Sequence, residues 1–371
     1  MNPHAIATTL MLSSMSGVPA LAQVALVPSV AIARVWDDNV FYRPTGESDL
    51  TTRISPRLDA SYDDGRLAWS GRYQLDADRF ERHPQLTTAH ARQDAGVDLA
   101  YSATRRLSFG GTASFVESQT PLDLNLEAAP VPGRVRARRY SVQPSATYQL
   151  TTRTDAKVRY TAASDALADG VGVRTREATM TVTQHHSPRT DLRFEYTFQH
   201  FGFEHVDASV SQAWTAEWRR SLDRSTSVSV AAGPRVTDGK LSPDVAAAVH
   251  RQLRTGEAAI TYLHTTTTLL GTLSVADMHS LSVIIAAEPR RGLHLHAGPA
   301  LLQTKQGALS SAVYRMTAGC EWPIARRFAV RGDYDVNVQR GNIFTAQSVE
   351  TIGRNRVLVS IVASGQAATA R

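Results

Sequence analysis

Guanidinium and carboxylate groups recur along this chain at alternate positions, a pattern that can hold oxyanions transiently or cross-link a wet wall by ion pairs. Arg53, Arg57, Arg72, Arg159, Arg193, Arg219, Arg315 and Arg331 each adjoin an apolar residue, and Asp76, Glu195 and Asp333 are interleaved with them. The mixed signs favour internal pairing over a strong anion filter. His294 and His296 stand two residues apart on one face of a strand, close enough to chelate a metal, although polar wall residues are the ordinary reading. His185-His186 lies beside a turn and His200 near an outer rim, where a barrel hydrolase could pair one of them with a Ser or Asp. Asp37-Asp38-Asn39 puts three oxygen-bearing side chains in a row. Calcium wants about six to eight oxygens, so an Asx-type turn is the simpler reading. The chain has no G-x-S-x-G, no H-E-x-x-H, no phosphate loop and no paired-cysteine site, so no catalytic residue, metal or cofactor is expected.

The elements that must position these groups are strands. A short arginine-bearing turn recurs every 35 to 45 residues or so, a supersecondary period that marks a repeated hairpin. Copies include Asp64-Gly65-Arg66, Thr104-Arg105-Arg106, Arg189-Thr190-Asp191 and Arg290-Arg291-Gly292. After Asp191, Leu192, Phe194, Tyr196 and Phe198 alternate with Arg193, Glu195, Thr197 and Gln199. After Arg327, Phe328, Val330, Tyr334, Val336 and Val338 alternate with Arg331, Asp333, Asp335, Asn337 and Gln339. Such segments, apolar on one face and polar on the other, with tight turns at one end and longer loops at the other, are the signature of a transmembrane barrel. A one-residue slip would put arginine into hydrocarbon at about 2 to 4 kcal/mol per residue, so register is strongly specified.

Composition excludes other classes. Apolar residues make up 42%, and no run in the mature region reaches the 18 or so apolar residues of a membrane helix. The net charge of +6 is spread over turns and polar faces without a basic patch, which argues against nucleic acid. Cys320 stands alone and is in phase with Tyr314, Met316 and Trp322, a small apolar side chain facing lipid. At the N-terminus, a weakly apolar run from Ala5 to Val18 ends in Pro19-Ala20-Leu21-Ala22-Gln23. This A-x-A site predicts a signal peptide over 1–22 and a single barrel domain over 23–371.

The expected fold is all-β, an antiparallel up-and-down barrel of about eighteen strands, sixteen being the alternative, with weak segments near 244–252 and 278–287. A barrel of that size encloses water, whereas one of about eight strands is filled by side chains. Segments 117–137 and 165–174 carry Gly, Pro and Asp and are expected as long outer loops, one of which could fold inward. Arg134, Arg136, Arg138 and Arg139 close the first of these, as a rim touching lipopolysaccharide or as a gate for acidic substrate.

Trp36-Asp37-Asp38-Asn39-Val40-Phe41-Tyr42-Arg43, followed by Ser48-Asp49-Leu50 and Arg66-Leu67, resembles the opening of the β-barrel porins encoded beside exopolysaccharide genes, the EpsL-like and exosortase-associated outer-membrane proteins. In that family an aromatic-Asp-Asp-Asn step ends the first strand and a Ser-Asp starts the second. The resemblance covers about residues 30 to 80 in motif, and implies export or assembly of a surface polysaccharide alongside periplasmic or inner-membrane partners. The chain departs from the family at its end, where Ala363 to Arg371 holds no terminal aromatic. Two main readings therefore compete, a polysaccharide conduit and a general diffusion porin, with a barrel hydrolase third. Outer-membrane lipid and lipopolysaccharide are expected partners in each.

Overall fold

The computed structural model describes residues 24–120, 133–168, 172–269, 271–307, 309–342, 351–365 and 368–370. The expected signal peptide and its cleavage site lie outside these residues, as does the whole segment between Thr120 and Gly133. The first nine strands are β1 (Val24–Asp37), β2 (Asp49–Asp63), β3 (Leu67–Phe80), β4 (Thr88–Ser102), β5 (Leu107–Ser118), β6 (Ala137–Thr151), β7 (Thr154–Leu167), β8 (Val173–Ser187) and β9 (Thr190–Phe203). They are followed by β10 (Val206–Ser221), β11 (Thr226–Thr237), β12 (Lys240–Leu253), β13 (Gly256–Thr268), β14 (Val275–Arg290), β15 (Leu293–Gln306), β16 (Leu309–Ala325), β17 (Phe328–Asn342) and β18 (Thr351–Ser364). Each strand pairs antiparallel with the next, and β18 returns to β1 through nine residue pairs from Ser29↔Ser364 to Asp37↔Arg356. The sheet is thus a closed eighteen-stranded up-and-down barrel with no free edge, the arrangement that satisfies every backbone group in lipid. A three-residue strand, Ala368–Ala370, extends the seam by pairing with Val24–Leu26.

Two faces follow from the two-residue period. Outward positions carry the exposed apolar side chains, among them Ile32, Leu58, Val97, Met180, Phe194 and Ile361. Aromatics pair on this face: Tyr62 stacks on Trp69, while Phe115 and Tyr196 pack at a tilt against Tyr140 and Trp214. Cys320 is exposed on the same side. Each one-residue step reverses the chemistry, so Arg53, Asp78, Arg193 and Asp333 lie on the inward wall. A large apolar exterior around a charged interior is the inverse of a water-soluble fold, and suits hydrocarbon outside and water inside.

The two ends of the barrel differ less than the sequence suggests. The arginine-bearing turns all close one end with two to four residues. At the other end, β1–β2, β3–β4, β5–β6, β7–β8, β13–β14 and β17–β18 are joined by longer segments. At that same end, however, β9–β10 and β11–β12 are closed by two-residue turns, Glu204-His205 and Asp238-Gly239, with positive φ at His205 (66°), Asp238 (49°) and Gly239 (77°). Asp-Gly with both residues left-handed is the hairpin turn that matches strand twist. The flanking Ser209, Lys240 and Ser242 fall on the inward side by register, and so in sequence they imitate loop.

Candidate functional site

The inward wall is a lattice of short ion pairs across and along strands. Arg53 donates to both oxygens of Asp78 at 2.7 and 2.8 Å, with Asp76 3.7 Å away. Arg57 pairs with Asp59 at 2.6 Å, and Arg72 and Arg92 share Asp94 at 3.1 and 2.9 Å. Arg193 bonds Glu195 and lies 3.6 Å from Glu217, which also takes Arg219 at 3.0 Å. Arg159 stands 3.9 Å from Glu177, and Arg331 donates to Asp333 at 2.8 Å. Arg315 faces inward beside Tyr42. Many of these pairs are wet, so each contributes up to about 1 kcal/mol, and their collective effect is to hold a charged wall rigid.

Alternation alone would have found the inward pairs that were not singled out. Arg235, 5% exposed, donates from Nε to Asp244 at 2.7 Å, and its other nitrogens reach Gln199, Ser211 and Thr265 at 2.7, 2.9 and 3.0 Å. Arg354 and Arg356 on β18 take Asp37 and Asp335 across neighbouring strands. His296 lies 3.5 Å from Asp333 on the same wall, while His185 bridges Asp191 and Asp155 at 2.8 and 3.0 Å near the turn end.

The Asp37-Asp38-Asn39 step is a latch between the first strand and the last. Asp37 Oδ1 accepts from the Asn39 N–H at 3.0 Å, the Asx turn, and also takes Arg354. Asp38 accepts from the backbone N–H and side-chain amide of Asn355 at 2.7 and 2.6 Å. Asn39, almost wholly buried, donates to the Arg43 and Gly353 carbonyls at 2.6 and 2.8 Å and accepts from the Arg43 N–H at 3.0 Å. Asp49 forms a second latch, accepting from the His83 N–H at 2.9 Å and the Arg82 N–H at 3.0 Å, while Ser48 Oγ takes Arg82 at 3.3 Å. Trp36 points outward, 44% exposed.

These latches fold loop L1 (residues 38–48) into the barrel. Tyr42 is buried against Leu269, just past β13, and against Met278, Leu302 and Val313, inward residues of β14, β15 and β16, and its hydroxyl donates to Asn337. Burial pushes the Tyr42 hydroxyl well above the usual tyrosine range, so it remains a donor. No sequence signal marked the burial of Tyr42, because it comes from a wall several strands away.

The basic cluster after the β5–β6 loop divides. Arg134 turns inward, bonding the Val40 carbonyl at 3.3 Å with its guanidinium carbon 5.0 Å from the Phe80 ring centre. Arg139 also faces inward and pairs with Asp165 at 3.1 Å. Arg136 and Arg138 face outward and share Glu117. The run thus divides between the two faces of the wall.

No protein-family model matches the chain, and no curated protein matches it. Solved structures do share its shape. Acinetobacter baumannii OccAB4 aligns at 9% identity over 92% of this chain and 98% of that one, with a TM-score of 0.50. Pseudomonas aeruginosa OpdQ aligns at 7% identity over 92% and 98%, TM-score 0.45. The siderophore receptor PirA from Pseudomonas aeruginosa aligns at 10% identity over 92% and 80%, TM-score 0.44. At these identities the likeness to OccAB4 establishes the barrel fold and leaves the solute to the residues of the wall.

Proposed function

We propose that this chain is a passive channel of a Gram-negative outer membrane, admitting small hydrophilic solutes through a charged, water-lined interior. The observation that carries this reading is the closed eighteen-stranded wall, apolar outside and ion-paired inside, since a barrel of this size leaves an aqueous path. Solutes would pass by weak, distributed contacts with side chains such as Arg72, Arg193 and Arg331, because a tight site would stall flow. No nucleotide-binding motif is present in the sequence, so the gradient supplies the drive. Loop L1, pinned against the inner wall, narrows the loop end and favours small solutes over a thick polymer.

The exopolysaccharide conduit is the second reading, supported by the opening motif from Trp36 to Asp49. It would add periplasmic or inner-membrane export partners. Outer-leaflet lipid is the proposed surrounding partner: Arg174 and Arg176 are exposed in phase with outward Met180, and they have no carboxylate partner among the described residues. Purified protein in planar bilayers should give discrete conductance steps in KCl, and vesicles carrying it should swell in small sugars. Deleting the gene should slow small-solute uptake. Loss of surface polysaccharide with unchanged uptake would replace the small-solute reading by the conduit.

A further inference from the structure

Beneath L1, a cavity of about 30 Å³ opens on the inward wall between the first five strands and β18. Five arginines line it, Arg53, Arg92, Arg134, Arg354 and Arg356, against two aspartates, Asp37 and Asp78. Four of the five have carboxylates to hold. Arg53 takes Asp78 at 2.7 Å, Arg92 takes Asp94 at 2.9 Å, Arg354 takes Asp37 at 3.0 Å, and Arg356 takes Asp335 at 2.8 Å. Arg134 is the exception: its partners are a backbone carbonyl and the face of Phe80, and no carboxylate of a described residue lies within ion-pair distance.

Two further observations set this cavity apart from the rest of the wall. Burial first, and then the nearby Arg354, pushes the Arg134 pKa below the ordinary arginine range, with Asp78 and Asp37 offsetting part of the shift. The Arg92 Nε is buried with no hydrogen-bond partner, although it belongs to a guanidinium lining the same cavity. A buried donor left unmade costs about 1 to 3 kcal/mol, so the wall holds unspent capacity for an acceptor at this point. Ser118, Gln119 and Thr120 complete the lining with polar side chains.

We propose that this cavity is an oxyanion site: it takes the phosphate or carboxylate group of a small solute, with Arg134 supplying the unneutralised charge and Arg92 Nε a waiting donor. Two oxygens of a carboxylate or a phosphate match a guanidinium fork, whereas a neutral sugar would leave the Arg134 charge uncompensated. The site lies where L1 and the end of the β5–β6 loop meet, since Arg134 bonds Val40. A bound oxyanion would thus lie beside L1 and the start of β6. Its role as a station for passing solutes rests on the channel reading, while binding itself does not.

Inorganic phosphate is titrated into the detergent-solubilised full-length protein and followed by phosphorus NMR, with acetate as competitor. In parallel, phosphate block of the KCl current is measured in planar bilayers. Saturable binding that weakens about tenfold in Arg134→Gln, the loss of one charge-assisted pair of about 1.4 kcal/mol, is the expected result. Arg79→Gln on the outward face should bind as the wild type does. Displacement by acetate identifies a site for carboxylates as well as phosphate; its absence confines the site to phosphate. Wild-type protein that binds neither ion saturably, or Arg134→Gln that binds equally well, overturns the site. Binding without KCl current would instead overturn the channel and leave the site standing.

Discussion

Replacing Asn39 by alanine should free loop L1 without unfolding the barrel. The side chain makes three hydrogen bonds, to the Arg43 carbonyl, the Gly353 carbonyl and the Arg43 N–H, and it is 1% exposed. At about 1 kcal/mol each, their removal destabilises the inward position of L1 by about 3 kcal/mol. A change of that size moves a two-state population on the order of a hundredfold. The β1–β18 ladder is made by backbone groups along nine residue pairs and does not depend on this side chain. Planar-bilayer recordings of Asn39→Ala should therefore show frequent transitions to a wider conductance, while its unfolding temperature in detergent stays near that of the wild type. If Asn39→Ala keeps wild-type conductance and gating frequency while fully folded, L1 does not limit the mouth and the latch is only decoration of the seam.

Met180→Arg, at mid-strand on the outward face, should destabilise refolding into vesicles by about 2 to 4 kcal/mol, whereas Thr183→Arg on the inward face of the same strand should cost far less; equal costs would reverse the assignment of faces. Arg235→Ala leaves Asp244 uncompensated in a nearly buried site and should cost about 3 to 5 kcal/mol in urea unfolding. Arg331→Ala, whose side chain is 48% exposed, should cost at most about 1 kcal/mol. An epitope inserted at Asp238-Gly239 should be reached by antibody on intact cells, and one at Thr154 only after the outer membrane is permeabilised. The opposite labelling pattern would invert the barrel.

The face of each strand residue was legible without coordinates, because a two-residue period and a lipid exterior leave one register that keeps arginine out of hydrocarbon. Leu192 to Gln199 and Phe328 to Gln339 each divide as their alternation requires. The eight arginine-bearing turns marked one end of the barrel, since turn chemistry is local. At the other end the same locality misled: Lys240 and Ser242 are polar on the inward side of the barrel, and nothing nearby in sequence distinguishes that from a loop.

The constellation of the candidate site belongs to the tertiary structure. Which arginine meets which aspartate depends on cross-strand register, so Arg53 finds Asp78 on the next strand and Arg354 finds Asp37 across the closing seam, 317 positions away. The motif around Asp37 was visible as an oxygen-rich turn, but its role as a clasp exists only once β18 lies beside β1. The burial of Tyr42 and the inward turn of Arg134 were decided last, by a wall and a neighbouring loop brought within reach when the sheet closed on itself. Short-range patterning therefore determined the membrane face and the strand order, while closure of the barrel decided what stands in the mouth.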